Sequence, residues 1–388
     1  MKVELNTQQK NGTLVFKEQA SNILISGASF AGLTAAFWMN RLGYKVTVVE
    51  IAKGLRMGGS PVDIKERTVD IVKRMGLLER IQACSLKRKA IDFLDVNGSP
   101  VATLSAHSGD GQDSETEYEI ERDSLLQMLF EAVEGDVEFL FDDSITHLDE
   151  SADQVFVTFK SGVQRPFSLV FGCDGNHSSV RKMSFSEESA YSHFLQNYSS
   201  IAIVDELLIE QDTAQMYNVP GKTVMLSAYN NKTDIIFCFY SEQEISYNYR
   251  DQQEQRAIIS HQFAGVGWRT AELLERASDA GNFYFDKMCQ IRMPSWTKGR
   301  VALVGDAAYC ASPAAGMGGS LAIIGATALA DAFTKYPRDL EAAFQEYDSS
   351  LRPFVEDVQA QAVNFGLEMF VPRTEEAIQK RNVQFGLN

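Results

Sequence analysis

SNILISGASFAGLTAAFWMNRLGYKVTVVE, residues 21–50, is the stretch that decides the fold. The short apolar run NILIS, bounded by a glycine, predicts a buried strand. FAGLTAAFWMNRLG has the length of a helix and ends on Gly43, a residue typical of a helix C-terminus. KVTVVE is β-branched and predicts a second buried strand that ends at Glu50. The stretch therefore predicts a βαβ unit.

The turn between the first strand and the helix, GASFAG, is a variant of the dinucleotide-binding pattern G-x-G-x-x-G. Gly27 supplies the tight turn, and Gly32 lets the helix and strand pack closely. The positive end of the helix suits a pyrophosphate, and Glu50 is placed to accept hydrogen bonds from a ribose. Because Ser29 replaces the middle glycine, an α/β turn with chance glycines stays open as the alternative.

A second segment of the same kind lies near the middle of the chain. FSLVFGCDGNHSSVRKM, residues 167–183, predicts a short buried strand that ends in the turn Asp174–Gly175, with Arg181 shortly after it. The segment is compatible with a ligand-binding turn. It is equally compatible with an ordinary β-turn and a solvated arginine.

The third segment is VALVGDAAYCASPAAGMGGS, residues 301–320. It predicts a strand, an aspartate at its end, a Pro/Gly loop and a helix from about Ser320. Asp306 would repel a pyrophosphate and suits a polyol, while the loop offers backbone N–H groups at a helix N-terminus. A loop without a ligand is the alternative, but one extended ligand that touches all three turns explains them more economically.

The composition is that of a globular protein and excludes several classes of function. Of the 388 residues, 45% are hydrophobic and 23% charged, and the net charge of −16 argues against nucleic acid as a partner. No apolar run is long enough to span a bilayer, and the N-terminal segment, which lacks an apolar signal core, predicts a leader before the first strand. Five scattered cysteines and five unclustered histidines predict no metal site and a reducing, cytoplasmic compartment.

In order and spacing, GASFAG…VVE, the DG turn and the late GDA segment resemble the single-component FAD-dependent aromatic hydroxylases, typified by p-hydroxybenzoate hydroxylase. The form GDAAYC.SP..GMG.S, with FYFDKMCQIRMPSWTKGRVALVGDA, is similar to the branch that contains the tetracycline-inactivating flavin monooxygenases. The common family form has His, Pro, Gln and Asn at four positions of the late motif that are occupied here by Tyr309, Ser312, Met317 and Ser320. The side chains that flank the flavin edge in the common form are therefore absent here, so the resemblance implies that backbone N–H groups of the loop take their place.

The resemblance implies a set of cofactor-binding residues. Asp306 would bind the ribityl chain, the glycine loop would approach the flavin ring, and Arg122 would reach the phosphates or the ribityl chain. The DG turn is associated with both FAD and NAD(P)H, and Arg56 is a candidate for contact with NADPH. The implied set is Gly27, Ser29, Gly32, Glu50, Arg56, Asp63, Arg122, Asp174, Arg181, Gly305, Asp306, Pro313, Gly316, Met317, Gly318 and Gly319.

The fold that the resemblance implies is α/β, with a discontinuous Rossmann-type FAD-binding domain, an inserted antiparallel-sheet substrate domain and a C-terminal helical brace. The FAD-binding segments are 20–85, 118–183 and 291–335, the substrate-binding segments are 86–117 and 184–290, and the brace is 336–388. Within the insert, an NG dipeptide between two short apolar runs predicts a hairpin.

Phe237, Phe239 and Tyr240 are candidates for the lining of the substrate pocket. Phe237 and Phe239 share one face of a strand and Tyr240 lies on the other, so the three are not expected to line it together. Packing in the core is the alternative for each of them.

The implied function is an FAD-dependent, NAD(P)H-consuming monooxygenase that hydroxylates a phenolic or polycyclic, tetracycline-like substrate through a flavin C4a-hydroperoxide. Antibiotic inactivation or tailoring would be its role, and it would act as a monomer or homodimer. Catalytic side chains are not assigned, because the chemistry belongs to the flavin. A flavin dehydrogenase, reductase or halogenase of the same fold, and a non-catalytic FAD-binding protein, remain alternatives.

Overall fold

The computed structural model describes residues 21–87, 90–105 and 117–386. The predicted N-terminal leader and part of the predicted substrate-binding segment 86–117 lie outside the described residues, as do the last two residues of the predicted brace.

The strands, in chain order, are β1 (Asn22–Ser26), β2 (Lys45–Glu50), β3 (Val62–Ile64), β4 (Ser85–Leu86), β5 (Ile91–Leu94), β6 (Pro100–Leu104), β7 (Tyr118–Ile120), β8 (Glu138–Phe141), β9 (Ile145–Glu150), β10 (Val155–Phe159), β11 (Gln164–Phe167), β12 (Leu169–Gly172), β13 (Ser192–Val204), β14 (Ala214–Val219), β15 (Lys222–Tyr229), β16 (Lys232–Tyr240), β17 (Asn282–Ile291), β18 (Thr297–Lys298) and β19 (Val301–Leu303). The α-helices are α1 (Phe30–Arg41), α2 (Arg67–Arg74), α3 (Leu78–Ala83), α4 (Arg122–Glu131), α5 (Ser179–Ser184), α6 (Gln252–Phe263), α7 (Thr270–Asp279), α8 (Asp306–Tyr309), α9 (Gly318–Lys335), α10 (Leu340–Gln361), α11 (Leu367–Phe370) and α12 (Glu375–Gln384). Short 3₁₀ turns cover Glu188–Ala190 and Pro313–Ala315, and one π-helical turn covers Ala362–Gly366.

A six-stranded sheet forms the centre of the first domain, in the order β18-β19-β12-β1-β2-β8. Its strands are parallel except for β18. Helix α1 follows β1 directly and packs against α9, and residues of β1, α1 and β2 all belong to one hydrophobic cluster. Because β1, β12 and β19 are neighbours and parallel, the turns that follow them meet at one edge of the sheet, the usual place for a ligand in such folds.

A seven-stranded sheet forms the second domain, in the order β17-β13-β16-β15-β14-β5-β6. Antiparallel pairing follows from its turns: Asn230 and Asn231 both have positive φ between β15 and β16, and the predicted NG hairpin joins β5 to β6. The sheet is mixed, however, because β14 and β5 pair in parallel. These two strands are far apart in sequence and no hairpin turn fixes their direction. The other five strand pairs of the sheet are antiparallel, as predicted for this domain.

Two faces of this sheet have different neighbours. One face packs against α6 and α7 in a cluster that includes Phe237, Phe239 and Phe263. The other face contributes Cys238 and Met288 to a cluster that also contains Ala314, from the loop after Asp306, and Val371. The second face is therefore the one turned toward the glycine-rich loop.

The C-terminal helices contact both domains. Helix α10 packs on α9, and the Tyr347 hydroxyl on α10 donates to the Leu303 carbonyl at the end of β19, 2.9 Å away. Beyond the π-helical turn, the Phe370 carbonyl accepts a hydrogen bond from Asn218 Nδ2 on β14 at 3.2 Å. Across the described ranges no helix is both long enough and apolar enough to cross a membrane.

Candidate functional site

The first turn is built so tightly that two of its residues must be glycine. Gly27 has a φ of +104°, and a Cβ atom there would lie 2.5 Å from the Cys173 carbonyl oxygen. A Cβ atom on Gly32 would lie 1.9 Å from the Gly27 carbonyl oxygen. The predicted roles of both glycines, the turn and the close helix–strand packing, agree with these contacts.

Glu50 is fixed at the end of β2 beside that turn. It is 9% exposed, and its Oε2 accepts from the Ala28 N–H at 2.9 Å while Oε1 accepts from the Ala52 N–H at 3.0 Å. Each carboxylate oxygen keeps a further lone pair for a hydroxyl donor. Ser29 is the N-cap of α1, and its side chain makes no capping hydrogen bond to the described chain, so the first N–H groups of the helix stay free for an anion.

Arg122 organises the loop that carries Arg56. Its Nη1 donates to the Arg56 carbonyl at 2.9 Å and to the Gly58 carbonyl at 2.8 Å, and its guanidinium lies 5.4 Å from the centre of the Phe30 ring. Burial lowers the pKa of Arg122, but the group stays charged. Arg56 itself is exposed, and Asp63 is exposed on β3. The structure thus brings Arg122 to the first turn as a support of the loop.

The DG turn is locked by its own aspartate. Asp174 accepts hydrogen bonds from the Ser179 N–H at 2.7 Å and the Val180 N–H at 3.1 Å, which caps α5, and burial raises the pKa of its carboxyl. Arg181 is fully buried and donates to the Ala307 carbonyl at 2.8 Å. It therefore ties the DG turn to α8, and the alternative of a solvated arginine was wrong. Its Nε has no hydrogen-bond partner among the described residues.

The late motif places an acid and a helix N-terminus side by side. Gly305 is the N-cap of α8, and Asp306 is its first residue. Burial raises the pKa of the Asp306 carboxyl to about 6, and Asp306 forms no ion pair within the described ranges. Helix α9 begins at Gly318, two residues before the predicted start at Ser320. A Cβ atom on Gly318 would meet nothing within 4 Å, so the first N–H groups of α9 are open to a ligand.

The remaining members of this loop surround that helix start. Pro313 and Gly316 are exposed at the two ends of the 3₁₀ turn, and Met317 is half-buried as the N-cap of α9. A Cβ atom on Gly319 would lie 3.2 Å from the Phe30 ring, so the helix start and the first turn lie against each other.

Tyr309, which stands where the family form has histidine, is a core residue. It is 1% exposed, its hydroxyl lies 3.2 Å from that of Tyr347, and its ring centre is 4.6 Å from that of Trp296. A Cβ atom on Gly325 of α9 would lie 1.7 Å from the Tyr309 hydroxyl. Gly325 of α9 therefore leaves the space that the Tyr309 hydroxyl occupies.

Two other departures from the family form also have local explanations. Ser312 has a φ of +82°, a backbone conformation that proline, with φ fixed near −65°, does not adopt. Ser320 is buried, and its hydroxyl donates to the Asp63 carbonyl at 2.9 Å, which joins α9 to β3.

The structure does not bring Phe237 and Phe239 to the site. Both are fully buried on the face that α6 and α7 cover, and Phe237 packs edge-on against Phe263 at 4.9 Å. Tyr240 lies on the opposite face, half-buried beneath the Arg373 guanidinium at 4.1 Å. Strand alternation predicts this separation, but only the packing of the helices decides which face is covered.

Sequence reasoning missed an ionic cluster beside the DG turn. His177 Nε2 lies 2.9 Å from Asp286 Oδ2 on β17, and Nδ1 lies 3.3 Å from Glu188 Oε1. Hydrogen bonds with these two carboxylates raise the pKa of His177 to about 9, so it is a cation at neutral pH. The Tyr247 hydroxyl donates to the other Asp286 oxygen at 2.7 Å. The cluster links the DG turn to the seven-stranded sheet, and no sequence spacing signals it.

Three turns meet at the carboxyl edge of a parallel sheet, with acids at Glu50 and Asp306 and open helix N-termini at α1 and α9. With the separate sheet domain, this is the arrangement of a dinucleotide-binding protein. The model of the family "FAD binding domain" matches residues 20–362, and the chain belongs to this family.

Relatives agree with that assignment over nearly the whole chain. An uncharacterized protein of Mycobacterium tuberculosis is 38% identical over 338 residues, which cover 86% of this chain and 90% of the relative. A flavin-dependent monooxygenase from an unknown prokaryotic organism is 33% identical over 373 residues, which cover 94% of this chain and 95% of the relative. The crystal structure of the tetracycline destructase Tet(51) superposes with a TM-score of 0.83 at 32% identity, covering 95% of this chain and 96% of that one. The chain is an FAD-dependent monooxygenase, as its sequence motifs predict.

Proposed function

We propose that this monooxygenase consumes NAD(P)H and O₂ to hydroxylate a phenolic or polycyclic, tetracycline-like substrate. The observation that carries the substrate class is the 32% identity to a tetracycline destructase over 95% of the chain. Inactivation or tailoring of such an antibiotic is the corresponding role. The dispersed free thiols favour a cytoplasmic enzyme, and we propose a monomer or homodimer.

The residues present fit FAD. The close contacts at Gly27 and Gly32 leave a bare turn for the pyrophosphate, Glu50 keeps free lone pairs for the ribose, and the buried carboxylate of Asp306 suits ribityl hydroxyls. When bound and reduced, FAD supplies the activation of O₂ for transfer of one oxygen atom.

The chain's own contribution is positioning and electrostatic stabilisation. The open N–H groups at the start of α9 are suited to stabilise negative charge on the flavin ring, because they are preorganised and lie at the positive end of an 18-residue helix. Arg122 would hold the 56–58 loop against the cofactor, and Arg181 would keep the DG turn and α8 in register.

The substrate would be held by the sheet face that carries Cys238 and Met288, because that face packs with Ala314 of the glycine-rich loop. Ile236 and Tyr240 extend the same face, so it offers apolar and aromatic contacts to a fused-ring substrate. Closure of this face over the loop would also exclude water from the reacting atoms.

Arg56 is our candidate for recognition of NADPH, since it is exposed beside the first turn and its backbone is held by Arg122. Arg56→Ala should slow reduction by NADPH while FAD content stays unchanged. An unchanged rate of flavin reduction at limiting NADPH would exclude Arg56 as a residue that recognises NADPH.

The experiment that tests the function uses purified protein loaded with FAD. NADPH oxidation is measured across simple phenols and tetracyclines, and products are analysed by mass spectrometry. Stimulated oxidation together with a product one oxygen atom heavier supports the proposal. Flavin reduction without incorporation of oxygen would favour a reductase, and a redox-inert protein would leave only FAD binding.

A further inference from the structure

Two of the five cysteines, Cys289 and Cys310, meet where the two domains join. Cys289 lies on β17, and Cys310 directly follows α8. The Cys310 Sγ is 3.7 Å from the Cys289 carbonyl oxygen, and the Ile291 N–H donates to the Cys310 carbonyl at 3.0 Å. Both side chains are buried, so the pair is held by the backbone of two different elements.

The surroundings make the two thiols unequal. The side-chain hydrogen bond between them lowers the pKa of Cys289 and raises that of Cys310 well above its usual value. The Cys289 S–H donates to Asn176 Oδ1 of the DG turn, with 3.2 Å between sulfur and oxygen, which fixes the Cys289 side chain at the junction of the two domains. Cys289 is thus the sulfur that ionises first, and the thiolate is the nucleophilic form.

We propose that Cys289 and Cys310 form an oxidant-sensitive pair that hydrogen peroxide converts into a disulfide. The Cys289 thiolate attacks one peroxide oxygen, the O–O bond breaks, and the hydroxide that leaves takes up a proton to give water and a sulfenic acid. The Cys310 sulfur then attacks the Cys289 sulfur, and the sulfenic oxygen leaves with the Cys310 proton as a second water. Two thiols lose two electrons, and one peroxide gains them.

The pair is coupled to the late motif through Asp306. Cys310 directly follows α8, which begins at Asp306. Burial raises the pKa of the Asp306 carboxyl and the Cys310 thiol lowers it, whereas a disulfide has no S–H to donate. Oxidation would therefore remove this influence on the acid that we assign to the ribityl chain and would fix the backbone that follows it. We expect FAD to bind the oxidised protein about tenfold more weakly. This second statement rests on the proposed FAD site, whereas formation of the disulfide does not.

The other cysteines provide internal controls. Cys84 is exposed, and Cys238 is buried with its sulfur 3.6 Å from the Ser199 hydroxyl. Trypsin places the proposed partners on separate peptides, residues 288–292 and 301–335, so a link between them is directly visible by mass.

The full-length protein is treated with hydrogen peroxide until Cys84 is fully modified and is then digested without reductant. A linked 288–292/301–335 peptide, present in wild type, Cys84→Ser and Cys238→Ser and absent in Cys289→Ser and Cys310→Ser, supports the proposal. Both thiols remaining free in wild type when Cys84 is consumed would overturn it. Because this readout needs neither flavin nor substrate, its failure is separate from failure of the proposed function.

The coupling is tested on the same samples by fluorescence titration with FAD before and after peroxide, and again after dithiothreitol. Weaker binding that dithiothreitol restores, in Cys84→Ser but not in Cys310→Ser, supports the link to Asp306. Equal affinities of the linked and reduced proteins would refute the coupling.

Discussion

Replacing Asp306 with asparagine should stabilise the flavin-free protein while weakening its affinity for FAD. The carboxylate is buried at the start of α8 without a cationic partner in the described chain, and burial raises its pKa from 3.8 to about 6. An ionised acid in such a place costs folding free energy, which a bound polyol offsets through hydrogen bonds to the charged form. Asparagine keeps the shape and removes the charge.

The size of the effect follows from the two pKa values. A shift from 3.8 to about 6 corresponds to about 3 kcal/mol at 1.36 kcal/mol per pKa unit. Because the folded pKa is the higher one, the cost is absent below the unfolded value, grows as the pH rises through the folded value and is complete above it. The variant should therefore gain about 3 kcal/mol at pH 8 and roughly half of that at pH 5.

Urea unfolding of the flavin-free proteins at pH 5, 6, 7 and 8 measures this difference, with Asp149→Asn, an exposed carboxylate on β9, as the matched control. Fluorescence titration should show FAD bound roughly 10- to 100-fold more weakly by Asp306→Asn, the loss expected for hydrogen bonds to a charged acceptor. A stability difference that does not change with pH would refute the argument from burial. Unchanged FAD affinity would refute the assignment of Asp306 to the ribityl chain.

Three further perturbations test other parts of the site. Gly32→Ala should lose bound FAD and about 1–3 kcal/mol or more of unfolding free energy, because its Cβ would lie 1.9 Å from the Gly27 carbonyl; a flavin-replete, equally stable variant would contradict the close packing. Gly325→Ala should lower the melting temperature by its clash with the Tyr309 hydroxyl, and the double variant with Tyr309→Phe should recover part of the loss while either protein keeps its FAD; no recovery would mean a different clash. His177→Gln should cost about 1–3 kcal/mol at pH 6 in urea unfolding. Because the folded pKa of about 9 exceeds the unfolded 6.5, this loss should fade as the pH rises through 9, and an equal loss at pH 6 and pH 10 would exclude the ion pairs as its source.

The parts of the site that the sequence predicts are those with a local cause. The apolar runs before Gly27, Asp174 and Asp306, and the one that ends at Glu50, became strands β1, β12, β19 and β2 of the parallel sheet. The contacts of Gly27 and Gly32 match their predicted roles. Parallel pairing then brings the three turns together, because strands that point the same way share an edge. The start of α9 was two residues off, since serine is a common N-cap and the bare glycines before it gave no helical signal.

What the sequence could not give depends on contacts between distant segments. Alternation separates Phe237 from Tyr240, but only the placement of α6 and α7, far along the chain, decides which face is covered. No tight turn joins β14 to β5, so no local sequence signal predicts their parallel pairing. The His177 cluster gathers side chains from the DG turn, a 3₁₀ turn and β17, and none of the three looks unusual alone.

The departures in the late motif have to be considered together with the residues that contact them. Considered alone, Tyr309 and Ser312 indicate a site that lacks the side chains which flank the flavin in the common family form. In the structure, Tyr309 fills the space that Gly325 leaves on α9, and Ser312 takes a backbone conformation closed to proline. Replacing Tyr309 alone with histidine would therefore leave a void against α9. Replacing Ser312 alone with proline would force the backbone before Pro313 out of its present conformation. The conformation of the loop thus agrees with these residues, and the backbone N–H groups at the start of α9 stay open to a ligand without the side chains of the common family form.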